Sequence, residues 1–254
     1  MSLSVSSVTA YNNCPYSYYL DKIKKLPGKK GEALIKGSEI HEIFDKSYII
    51  AKQNLKKKEI EETPENVIKE LKELEPTVKL DHKEQYQNFI NLNEKIMSIP
   101  LYQEQKLYDK ELDFVGVLDR VDFQKGKLII MDYKTGKSKP IEEHRFQLAM
   151  YAYLFIQLHN QEPTHWAIYF SKTNELLIEP ISKPAIINAV EHVKQTRKRI
   201  EEDIKRDCFN RNRNWMCKWC QYYEICEQGN IYIKKKIYKS KKHLLINKKS
   251  KKEF

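Results

Sequence analysis

Apolar and polar positions change their rhythm several times along this chain of 254 residues. Ser6 or Ser7 can cap a first helix through "VTAYNNCPYSYYL", and Pro27-Gly28 breaks the chain before a second helical period from about Lys36 to Lys56. From Glu59 to Pro100 the residues are largely charged, helical in period and punctuated by Pro64, Pro76 and Pro100, which marks a helical insert. After Glu104 the period changes. "KLYDKELDF", "VGVLDRVDF" and "KLIIMDYK" alternate or run apolar and predict three strands, with "QKG" as a tight turn between the last two. "IEEHRFQLAMYAYLFIQL" returns to helical spacing, "HWAIYFS" predicts a strand, and the stretch from Pro184 to about Arg206 predicts a long amphipathic helix. Strands followed by a crossover helix and another strand make this an α/β fold with mixed pairing.

Composition narrows the class. The 41% apolar content is adequate for a packed core, and the longest apolar runs fall far short of a membrane span. "MSLSVSSVTAYNN" lacks the basic start and apolar stretch of a signal peptide, so the expectation is an intracellular, cytoplasmic protein with no membrane. The formal charge of +11 is concentrated. Residues 231–254 carry ten Lys against one Glu, which leaves the body close to neutral. Such a Lys-rich tail serves equally as a solvated extension or as an arm that grips nucleic acid.

The strand "LIIMDYK" delivers Asp132 and Lys134 to its end, and Asp119 lies in "GVLDRVD" on the preceding strand. Strand pairing across the turn at Gly126 brings both carboxylates to one edge, where they repel unless a cation lies between them. Mg²⁺ or Mn²⁺ suits two Asp and a backbone carbonyl, here that of Tyr133, and such an ion readies a water for attack on a phosphodiester. Lys134 shares the side-chain direction of Asp132, so its ammonium can reach that water or the scissile phosphate. Arg120 and Asp122 read as strand-surface groups or as supports behind the site. "TGKS" at residues 135–138 imitates the end of a P-loop, but position 131, where its first glycine would stand, is Met.

"GVLD", thirteen residues from Asp119 to Asp132, then "DYK" resembles the PD-(D/E)XK nuclease superfamily, specifically its RecB-like branch. The resemblance implies a restriction-endonuclease-like central mixed β-sheet flanked by helices. It also implies that His41, in "KGSEIHEIFD" with Gly37 four residues before it, is a metal ligand. Gln147 and Tyr151 match the branch's Q-x-x-x-Y motif, and their i, i+4 spacing puts an amide and a phenol on one helix face to contact DNA. Relatives carry an upstream acid, which Glu104 supplies here, with Glu111 competing.

Five cysteines without a secretion signal favour metal or redox chemistry over disulfides. Cys217, Cys220 and Cys226 form C-x2-C-x5-C and need a fourth ligand. Cys14 is the best remaining thiol, with Cys208 the alternative. Spacing alone leaves Zn²⁺ and iron-sulfur open. The early Cys in "CPYSYYL" with the late triplet resembles the iron-sulfur staple of AddB-type and CRISPR-associated RecB-like nucleases, which implies a [4Fe-4S] cluster joining the N- and C-terminal segments. Trp215, Trp219, Tyr222 and Tyr223 read either as a shield for that cluster or as a stack for unpaired bases.

The expected organisation is one RecB-like nuclease domain over residues 1–230, with a helical insert at 57–100, a cysteine segment at 208–228, and the tail at 231–254. The expected activity is that of a metal-dependent exonuclease on single-stranded DNA or DNA ends. It would act in recombination, repair, phage replication or CRISPR spacer acquisition, beside helicase or CRISPR adaptation proteins and associated with the nucleoid. The competing reading is a non-catalytic iron-sulfur module that binds DNA or assembles such a complex.

Overall fold

The computed structural model describes residues 2–28 and 31–227. The Lys-rich tail expected at residues 231–254 lies outside them. In chain order the elements are α1 Val5–Asn13, α2 Pro15–Tyr18, α3 Glu32–Lys57, α4 Pro64–Leu74, α5 Lys83–Ile96, β1 Tyr102–Asp109, β2 Phe114–Gln124, β3 Lys127–Lys134, α6 Arg145–His159, β4 His165–Phe170, β5 Glu175–Pro180 and α7 Lys183–Arg206. The chain forms two compact units: Glu32–Gln195 with Met1–Val5, and Ser6–Gly31 with the chain from Thr196 onward.

The first unit is built on a five-stranded sheet in the order β1-β2-β3-β4-β5. β1, β2 and β3 run antiparallel, β3 and β4 are parallel across the α6 crossover, and β4 and β5 are antiparallel. Lys125 and Gly126, with φ of 49° and 73°, turn β2 into β3 as a two-residue hairpin requires. The expected first strand "KLYDKELDF" divides instead. Its "KLYD" ends β1, "KELD" is the turn, and its Phe114 opens β2. β5 has no counterpart in the periodicity, because it is an edge strand with an irregular burial pattern and is held to β4 by backbone pairing.

Leu128 to Met131 are buried throughout, as expected for a strand covered on both faces. One face meets α3, α4 and α5: Met131, Tyr133, Ala167 and Tyr169 pack with Phe44, Tyr48, Leu71, Tyr86 and Phe89. Phe44 and Phe89 stack with centroids 4.2 Å apart. The segment that reads as an insert therefore supplies part of the principal core. α6 covers the other face through Leu148, Ala152 and Phe155, and it lies so close to β2 that a Cβ on Gly116 would meet Leu154 Cδ1 at 2.8 Å. The glycine of "GVLD" is the price of that contact.

The second unit brings the segment from Ser6 onward together with the described residues after Thr196. Tyr11 donates to Asp203 Oδ2 at 2.7 Å, Arg199 to Asn12 Oδ1 at 2.7 Å, and Tyr19 stacks on Phe209 at 4.6 Å. The helix expected through "VTAYNNCPYSYYL" is broken at Cys14, whose extended backbone precedes Pro15 at the start of α2.

Candidate active site

Continuing the β2–β3 register from Arg120 opposite Met131 sets Asp119 opposite Asp132, and the β1–β2 register sets Glu104 across from Asp119. Three acids from three neighbouring strands thus meet at one end of the sheet. Glu104 adopts a left-handed φ of 43° within β1. That conformation costs a non-glycine residue roughly 1–2 kcal/mol, and such strain collects at functional sites. Glu111, the competing acid, falls in the β1–β2 turn, eight residues before Asp119 and out of register with it.

Asp119 is fixed on both oxygens. Its Oδ2 accepts the Tyr133 amide N–H at 2.6 Å, and its Oδ1 lies 3.3 Å from His41 Nδ1. His41 also approaches Glu104 Oε1 at 3.9 Å, and its ring meets Tyr133 edge-on at 6.0 Å. It reaches the sheet because α3 abuts the segment after β3: a Cβ on Gly37 would stand 3.1 Å from Thr135 Oγ1. The G-x-x-x-H spacing is therefore a contact requirement followed by one helical turn. Ligand atoms of His41, Glu104 and Asp119 lie within 4.8 Å of one another, close enough to share one cation.

The other half of the site is a hydrogen-bonded chain. Lys134 Nζ stands 2.5 Å from Asp132 Oδ2 and donates to Gln147 Oε1 at 2.8 Å. Gln147 Nε2 donates to Asp132 Oδ1 at 2.8 Å and to the Tyr151 hydroxyl at 2.9 Å. Gln147 and Tyr151 thus act first as an inward clamp on the acid and the lysine. Asp132 Oδ2 is buried, with the Lys134 ammonium as its counter-charge.

The electrostatics call for a cation. Burial and then the charge of Asp119 push Glu104 up to about 7, with His41 opposing. Burial and Asp119 push Asp132 up to about 6, offset in part by Lys134. Burial alone would lower His41, but contact with Asp119 and the fields of Asp132 and Glu104 prevail and raise it. The repelling acids and the N/O donor set of His41, Glu104 and Asp119 fit a divalent ion.

A pH dependence follows. For acids raised when folded, the stabilisation is complete below their unfolded values near 4 and is lost as pH rises through 6 to 7. His41, also raised, acts in the same direction. Metal-free protein is expected to melt on the order of 5 °C lower at pH 8 than at pH 5, and Mn²⁺ is expected to raise Tm more at pH 8. Calorimetry at both pH values decides, and a metal gain independent of pH would contradict this charge balance.

Arg120 is fully buried, which decides against the strand-surface reading and in favour of a support behind the acids. It grips Asp122 with two bonds of 2.5 and 2.8 Å, donates to Tyr48 at 2.5 Å, Asn93 at 2.7 Å and the Ser98 carbonyl at 3.1 Å, and approaches the Tyr133 hydroxyl at 3.5 Å. One guanidinium joins α3, α5, β2 and β3 next to Asp119. Arg120→Ala leaves Asp122 charged and unpaired in the core and is expected to cost about 3–5 kcal/mol in urea unfolding. Arg120→Met with Asp122→Leu should recover most of it, and a single-variant loss below ~1 kcal/mol would remove the network from this role.

In the second unit, Cys14, Cys217, Cys220 and Cys226 all line a single cavity of ≈ 210 Å³, while Cys208 is exposed and does not. Among the described residues no three cysteine sulfurs come within 4.8 Å of one another, a wider spread than the ~3.8 Å that tetrahedral Zn–S bonds impose. The Asn214 N–H points at Cys217 Sγ at 3.5 Å, and Ser17 Oγ lies 3.8 Å from Cys220 Sγ. Tyr222 is buried, donating to the Leu26 carbonyl at 3.1 Å.

The family model for the PD-(D/E)XK nuclease superfamily matches residues 2–227. Among solved structures, a "Putative exonuclease" from Eubacterium rectale aligns with a TM-score of 0.50 at 14% identity, over 87% of this chain and 87% of that one. A protein designated SSO0001 aligns with a TM-score of 0.41 at 14% identity, over 90% of this chain and 87% of that one. No curated protein matches the sequence. Among the described residues, no helix is long and apolar enough to cross a membrane.

Proposed function

Because this chain belongs to the PD-(D/E)XK nuclease superfamily, we propose that it is a metal-dependent deoxyribonuclease of the RecB-like branch, an exonuclease acting on single-stranded DNA or DNA ends. The observation that carries the reading is the convergence of Asp119, Asp132, Lys134, Glu104 and His41 on one end of the sheet. A module that only bound DNA would have no use for three acids held against their own repulsion beside a lysine.

Asp119, Asp132, His41 and the Tyr133 carbonyl would hold Mg²⁺ or Mn²⁺, with Glu104 as a further acid. The bound ion supplies Lewis acidity toward the phosphate and a water of lowered pKa. Asp119 Oδ2 is kept in place by the Tyr133 amide, and Oδ1 faces the same space as His41 and Glu104. Lys134 holds a fixed positive charge where negative charge grows on the phosphoryl oxygens and the attacking oxygen. Gln147 keeps that ammonium and the Asp132 carboxylate in one geometry, which lowers the reorganisation needed when a strand arrives. Tyr151 fixes the far side of the Gln147 amide and presents its ring toward Gly116.

The four cysteines would hold a [4Fe-4S] cluster, a reading supported by their lining one cavity together. Its role is a staple between the chain's ends. The P-loop imitation carries no motor, so processive unwinding would come from a helicase partner, in repair, phage replication or CRISPR adaptation. The deciding experiment is a nuclease assay on end-labelled single- and double-stranded DNA with Mg²⁺ or Mn²⁺. Cleavage of single strands from an end supports the reading. A protein that binds DNA but cuts nothing under either metal favours the non-catalytic module.

A further inference from the structure

The cysteine segment places two tryptophans where a fold has no use for them. Trp215 and Trp219, at either end of a single 3-10 turn, are 63% and 64% exposed. Their rings meet edge to face at 5.4 Å, so a broad face of each is directed a different way. The turn is pinned. Asn214 caps it by accepting the Met216 N–H at 2.9 Å and anchors it by donating to the Asn13 carbonyl at 3.0 Å. Large apolar rings held rigidly in water mark a contact surface rather than unfinished packing. Shielding the cysteine cavity accounts for only part of this, since Trp219 lines that cavity and Trp215 does not.

The charges around the rings choose the partner. Lys218 Nζ lies 3.4 Å from the centroid of Trp219, and the Arg211 guanidinium lies 4.0 Å from that of Tyr16. Between Cys208 and Tyr223 the sequence carries Arg211, Arg213 and Lys218 and no Asp or Glu. Aromatic faces interleaved with cations match a ligand that alternates flat bases with phosphates. A duplex hides its bases, and a bilayer offers no planar groups to stack.

We propose that Trp215 and Trp219, with Arg211 and Lys218, form a stacking platform for unpaired DNA in the second unit, separate from the acids that would cut it. The proposal deepens the reading of this protein as acting on single-stranded DNA.

The test exploits the third tryptophan, Trp166, which is fully buried. Full-length protein in EDTA, which prevents cleavage, is titrated with oligo(dT) and with a duplex of equal length, following tryptophan quenching and anisotropy. Oligo(dT) is expected to quench the wild type, and Trp215→Ala/Trp219→Ala is expected to weaken single-strand binding about 10- to 100-fold while duplex affinity changes less than twofold. Trp215→Tyr/Trp219→Tyr should restore most of the affinity, and Arg211→Gln/Lys218→Gln should reduce the salt slope of single-strand binding by roughly 1.4. An unchanged Tm and cysteine-bound metal content separate loss of stacking from loss of fold. Unaltered single-strand affinity in the Ala variant, equal loss on duplex, or failure of the Tyr variant to recover would each overturn the platform. Cleavage is scored separately: a wild type that binds and quenches but never cuts retains the platform and loses the nuclease reading, while cutting with unaltered Ala-variant binding does the reverse.

Discussion

Asp132→Ala is expected to reduce DNA cleavage roughly 10³-fold or more, Lys134→Ala about 10²- to 10³-fold, and the double variant no further than the worse single one. The two side chains touch at 2.5 Å and share Gln147 as a common partner, so either loss dissolves the same arrangement. Removing Asp132 would take away one of the acids proposed to hold the metal and the counter-charge of Lys134. Removing Lys134 would take away the charge proposed to face the phosphate and leave a buried carboxylate with less compensation. Lys134→Arg should not rescue, because a planar guanidinium cannot reproduce a point charge between Asp132 and the Gln147 oxygen. Steady-state cleavage of labelled single-stranded DNA over a Mn²⁺ series measures this. Additive losses would show that the pair does not act as a unit, and activity surviving both substitutions would place the chemistry elsewhere.

Cys14→Ser is expected to remove the chromophore near 400 nm (a rough value for thiolate-bound iron) from anaerobically purified protein and to lower Tm on the order of 10 °C. Cys14 and Cys217 are two hundred residues apart in sequence but share one cavity wall, so a group bound there closes a very long loop. The Asn212 hydrogen bond to the Asn13 carbonyl at 2.9 Å, between the same segments, is exposed and a weak substitute. Cys208→Ser should leave both colour and Tm unchanged, because that thiol lies outside the cavity. Limited proteolysis is expected to cut the variant first within the second unit, which would lose the proposed staple, before the sheet unit with its own core. Colourless protein with stoichiometric zinc would replace the cluster by a single ion, and an unaltered Tm would end the staple.

The sequence by itself determined what is local. The Asp119–Gly126–Asp132 hairpin follows from two strand periods and a turn that demands positive φ, so the register of two acids could be read directly. The i, i+4 spacing of Gln147 and Tyr151 fixed a common helix face, and C-x2-C-x5-C fixed three thiols within one short segment. Tertiary structure decided everything that depends on which residues meet across long separations. Glu104 and Glu111 look alike in sequence, but only the β1–β2 register and a left-handed backbone bring Glu104 to Asp119. Arg120 reads from sequence as either a strand-surface group or a support, and only the acceptors supplied by α3, α5 and Ser98 make its burial tolerable and decide between them. The segment read as an insert proves to be core, because its apolar stripe is buried by a sheet that lies later in the chain. Hydrophobic periodicity says that a face must be covered. It carries no information about which distant surface covers it, and in this protein that choice places Glu104 beside Asp119 and Arg120 behind them.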